Sequence, residues 1–77
     1  MSKTKRIIND WDPMNLLSHA PDDEYEDEIT LINDFLAHTS GVNQLAYEIR
    51  FIFIRMFGND FKKSYDDCLE IAKQLLN

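Results

Sequence analysis

The densest chemistry in the chain lies between Asp22 and Glu28, where six acids fill seven positions and only Tyr25 interrupts them. Clustered carboxylates are hard oxygen ligands, and they also concentrate negative potential. The run therefore reads as a cation site or as a docking surface for a basic partner. A calcium loop of the EF-hand type needs alternating ligands, a glycine at its sixth position and a glutamate at its twelfth. None of that spacing is present. Acids in a first helical turn are also favoured by the helix dipole without any ligand. No metal ligands are assigned on this basis, and the docking surface is the stronger functional reading.

Two more groups lie close by. His19 precedes the acidic run, and Asp12 precedes His19 by seven residues. A histidine beside carboxylates has its pKa raised, and it has the chemistry of a metal ligand or general base. An enzyme using Asp12, His19 and nearby carboxylates is therefore the alternative to a binding role. A catalytic role also needs a pocket and a partner group, whereas a loop histidine bonded to a helix end needs neither. His38, at a helix end, is explained by the dipole. Cys68 lies on an apolar helical stripe beside Asp66, Asp67 and Glu70. Carboxylates raise a thiol pKa, so Cys68 reads as a small buried hydrophobe rather than a nucleophile. Trp11, the single tryptophan, fits a partner anchor or a loop residue pinned on the core. No phosphate loop, CxxC pair, HExxH or GxSxG occurs. The residues offered as a partner-binding face are Trp11, His19, Asp22, Asp23, Glu24 and Glu26; no catalytic residue and no cofactor is assigned.

Composition bounds these readings. With 77 residues, 44% apolar and 29% charged, the chain is expected to form one helical domain over 1–77. Fourteen acids against eight bases give a formal charge of −6. That balance argues against nucleic acid and against an anionic membrane surface, both of which select basic stripes. One cysteine permits no internal disulfide, which fits the cytoplasm. The basic start, Met1 to Ile8, lacks the following apolar run of a secretion signal, and no window approaches a membrane span.

The elements that must position these groups are helices. Residues 3–10 form a short helix candidate ending near Trp11, because Pro13 disfavours helical geometry at Asp12. Asp12 then fits an N-cap and Pro13 the first position of a second short helix reaching Ser18. After Pro21, Asp23 and Glu26 have capping-box spacing. Tyr25, Ile29, Ile32 and Leu36 recur as one helical stripe, widened by Leu31 and Phe35, to about His38. A third helix spans about Val42 to Phe57, with Leu45, Ile49, Ile52, Phe53 and Met56 inward and Tyr47, Phe51 and Ile54 on other faces. Apolar residues so far round a helix mark it as central, or as the seam of a homodimer. Gly58 suits a left-handed C-cap, and Phe61 should fold back onto the core. The last helix starts either at Asn59–Asp60 or at the Ser64–Asp67 box, and carries Tyr65, Cys68, Leu69, Ala72, Leu75 and Leu76. The expected fold is all-α: a small helical array of three main helices plus one or two short N-terminal ones.

The set Trp11-Asp12-Pro13, Leu16, Pro21, Asp23-Glu24-Tyr25 and Ile29, followed by Phe57-Gly58, Cys68 and Ile71-Ala72, resembles the YugE-like family of small bacterial proteins of unknown function. The resemblance spans almost the whole chain and implies a helical fold, with no activity, cofactor or site residue to carry over. Glycine often stands in that pattern where this chain has Asn15, and asparagine is one of the few other residues that tolerate a left-handed backbone. The functional expectation is a non-enzymatic interaction or regulatory module with an acidic face for a basic protein partner. The alternatives are the Asp12–His19 enzyme and a small homo-oligomeric structural protein.

Overall fold

The computed structural model describes residues 2–18 and 23–77. Ser2 caps α1, Lys3–Trp11, by accepting the Lys5 N–H, and the buried side of this helix carries Thr4, Ile7 and Ile8. Helix α2, Glu26–Leu36, buries Glu28, Ile29 and Ile32. Helix α3, Val42–Phe57, buries Leu45, Ala46, Ile49, Ile52 and Phe53. A 3₁₀ turn over Gly58–Asp60 leads to α4, Tyr65–Leu76, which buries Cys68, Ile71, Ala72 and Leu75. Among the described residues there is no strand, in line with the all-α expectation.

The helices form a ring of neighbours. The long α3 packs on α2 and on α4, while α1 closes the ring by bridging α2 and α4. The buried side chains form one cluster with Phe53 at its centre. The rings of Phe57 and Phe61 stack on Phe53 at 5.9 and 5.3 Å, and Trp11 and Tyr25 meet it edge-on at 5.7 and 6.0 Å. Offset and edge-to-face geometries of this kind add to what area burial alone supplies. Phe61 thus folds back onto the core as its spacing suggests. Polar ties hold the α1–α2 seam: Lys5 pairs with Glu26 at 2.9 Å, and the Thr4 hydroxyl donates to Asn33 at 2.6 Å.

Several local expectations change. Residues 13–18 form turns rather than a second short helix, because Asp12 is the left-handed C-cap of α1 (φ 44°) and not a β-region N-cap. The Asp23–Glu26 capping box does not form: Tyr25 stands at the N-cap of α2 without a side-chain cap bond. Helix α4 uses the later start, with Ser64 accepting the Asp67 N–H and Asp67 accepting the Ser64 N–H. Leu31 and Met56, expected on the inward stripes, are exposed. Each lies at the edge of its stripe, and no neighbouring helix covers that edge. Gly58 has the positive φ expected of it, but at φ 61°, ψ −137° it lies outside the left-handed helical basin, in a region open essentially to glycine alone.

A Cβ at Gly58 would meet nothing within 4 Å, so any penalty there is backbone strain and not crowding. Gly58→Ala is expected to lower unfolding free energy by about 1–3 kcal/mol, read by urea denaturation with an unchanged slope. Gly41→Ala serves as the control. Its φ is −80°, and only the flexible Gln44 side chain must move, so its effect should be much smaller.

Candidate functional site

The chain's turn from α1 towards α2 is organised by one carboxylate. The backbone N–H of Asp12 closes α1 on the Ile8 carbonyl at 2.9 Å. Its carboxylate then accepts the N–H of Leu16 at 2.9 Å and the N–H of Leu17 at 3.3 Å. From the other side Tyr25 donates its hydroxyl to Asp12 Oδ1 at 2.6 Å, and that hydroxyl accepts the Met14 N–H at 3.0 Å. Tyr25 is fully buried and Pro13 is buried beside this turn. Asn15 takes φ 57°, a left-handed backbone that asparagine tolerates better than most residues.

This arrangement decides the electrostatics. Burial pushes the Asp12 carboxyl up, but the hydrogen bonds from Tyr25, Leu16 and Leu17 outweigh it and hold the group below the usual carboxylate range. Burial, and then the bond to Asp12, push the Tyr25 phenol well above its ordinary value. A carboxylate held this way is a weak proton acceptor, which makes Asp12 a poor general base. Its work is capping and tying α1 to α2.

The residues read as a partner-binding face separate. Trp11 is half-buried, with its ring edge-on to Phe53 and Phe61. Glu26 is held by Lys5. Asp23, Glu24 and Asp27 are exposed, and among the described residues they make no ion pair or side-chain hydrogen bond. His19 and Asp22 lie outside the described residues. Among the described residues no group of three or more His, Cys, Asp and Glu could hold a metal ion. Cys68 is buried, and burial pushes its thiol up to about 11, with Arg50 pulling it down and Asp67 adding to the rise. That matches an inert core thiol.

Glu28 corrects the view of residues 22–28 as one solvated face. It is 3% exposed, and its Oε1 has no hydrogen-bond partner among the described residues. Burial, then Asp27 and Glu24, raise its carboxyl above the usual range. The signal was present in the spacing: Glu28 follows Tyr25 by three residues and precedes Ile32 by four, which sets it on the inward stripe. The Asp12–Tyr25 bond had no such signal, because thirteen residues and two breaks in the helical pattern separate its partners.

Tyr25→Phe removes one bond to a carboxylate and one to a backbone amide at a buried site, and is expected to cost about 1–3 kcal/mol, seen as a lower thermal midpoint. Glu28→Gln should have the opposite sign at neutral pH. A carboxyl whose folded pKa is raised destabilises the fold once pH climbs past its unfolded value near 4.5 and up through its folded value. Thermal melts should therefore show Glu28→Gln more stable than wild type at pH 7, with the gain shrinking as pH falls towards 4. A gain independent of pH would contradict the burial argument.

Comparison with known proteins places the chain without giving it an activity. No curated protein and no solved structure matches it. A family model described as a domain of unknown function (DUF1871) matches residues 3–77, from the first residue of α1 to the last residue of the chain, and the chain belongs to that family.

Proposed function

We propose that this chain is a bacterial, cytoplasmic member of the YugE-like group and acts as a non-enzymatic interaction or regulatory module. The residues proposed to meet a basic protein partner are the acids Asp22, Asp23, Glu24 and Glu26, together with His19 and Trp11. The supporting observation is that Asp23, Glu24 and Asp27 stand exposed and unneutralised among the described residues, around a buried Tyr25 whose hydroxyl is bonded to Asp12. Exposed carboxylates with no paired cation keep their potential for a cationic partner. The formal charge of −6 adds a long-range attraction for cationic partners. Lack of disulfide chemistry supports the cytoplasmic assignment. No described helix is long and apolar enough to cross a membrane.

Affinity capture from cell extract compares wild type with the double variant Asp23→Lys, Glu24→Lys, after circular dichroism has verified that both are folded. The reading expects a basic protein retained by wild type, released by moderate salt and missing from the variant. Identical partner lists would remove the acidic face from consideration.

A further inference from the structure

The outward side of α3 carries a second stripe, separate from the one that faces the core. Gln44, Tyr47, Phe51 and Ile54 recur at i, i+3, i+7 and i+10, the spacing of a coiled-coil seam. Tyr47 is 65% exposed and Phe51 57% exposed, and Ile54 continues the surface. Phe51 stands between two shallow hollows. Tyr47 and Ile54 border one of them, and Leu31 and Met56 border the other. A projecting ring flanked by hollows is self-complementary, since the ring of one copy can enter the hollow beside the ring of another.

Charge selects the orientation. Glu48 and Arg55 lie seven residues apart on one edge of the stripe, and both border the Leu31–Met56 hollow. Parallel pairing would set Arg50 of each copy against Arg55 of the other, like charge against like. Antiparallel pairing, with the two-fold axis between positions 51 and 54, sets Glu48 opposite Arg55 of the second copy, and symmetry repeats the pair. The same register places Phe51 opposite Ile54 of the second copy. It also places Tyr47 opposite the exposed Gly58, which has no side chain to obstruct a ring. Arg50 on the other edge then faces no like charge.

We infer that α3 is the two-fold interface of a homodimer in which the α3 helices pack antiparallel, with Phe51 against Ile54 and Glu48 paired with Arg55 across the axis. This interface uses a different surface from the acidic residues 23–27 and stands or falls separately from them.

Sedimentation equilibrium on the full chain, from micromolar to millimolar concentration, tests it. The expected species has twice the 9.1 kDa chain mass. Phe51→Asp should give monomer with unchanged circular dichroism, because this ring is more than half exposed. Glu48→Arg and Arg55→Glu should each weaken the dimer by about tenfold, given two symmetric pairs lost and replaced by like charges. The double variant Glu48→Arg, Arg55→Glu should recover wild-type association. A monomer at millimolar concentration overturns the inference. So does a dimer indifferent to Phe51→Asp, or charge swaps that weaken association singly without recovery in the double variant.

Discussion

The bond between Asp12 and Tyr25 is the constraint on which the rest of the molecule depends. Asp12 has three structural roles at once. Its backbone ends α1 in a left-handed conformation, its carboxylate caps the amides of Leu16 and Leu17, and one of its oxygens receives the Tyr25 hydroxyl. Each role narrows the others. The left-handed backbone turns the chain away from α1, and the capped amides shape the turn that follows. The Tyr25 bond then sets where α2 begins. Because Tyr25 is fully buried, its hydroxyl must be satisfied, and the Asp12 carboxylate together with the Met14 amide does so.

That node also orders the aromatic core. Trp11 is the last residue of α1 and Tyr25 the N-cap of α2, and both rings meet Phe53 of α3 edge-on. The rings of Phe57 and Phe61 stack on Phe53 along α3 and the segment after it. A small domain has little apolar surface to bury, so concentrating its bulk around one ring is an economical way to obtain a single packed core. Gly58 serves the same end, since it turns the chain sharply enough for Phe61 to return to Phe53.

Polar chemistry is divided by position rather than by residue type. Of the described acids between residues 23 and 28, Glu26 ties α2 to α1, Glu28 is buried at a cost, and Asp23, Glu24 and Asp27 have no ion pair among the described residues. Carrying a buried carboxylate in a domain of this size uses stability that is small to begin with. The carboxyl pKa values of Asp12 and Glu28 are shifted in opposite directions, down by hydrogen bonds at Asp12 and up by burial at Glu28.

Much of this was determined by the sequence alone. The periodicity of residues 42–57 sets α3 to its observed bounds, because a long stripe of apolar residues closed by glycine has one comfortable conformation. Ser64 and Asp67 carry a complete capping box, and Cys68 sits on an apolar stripe, so both are readable locally. Only the tertiary structure decided the rest. Asp12-Pro13 reads locally as a helix start, yet the distant Tyr25 hydroxyl and the core beneath it make Asp12 a helix end. Leu31 and Met56 match their stripes in period, but burial requires a neighbour, and no described helix lies over them. The acidic segment from which the functional reading began was legible as a concentration of charge. The spacing from Tyr25 to Ile32 already set Glu28 on the inward stripe, but that Glu26 pairs with Lys5 while Asp23, Glu24 and Asp27 stay exposed depended on how α2 lies against α1, and no local pattern contains that.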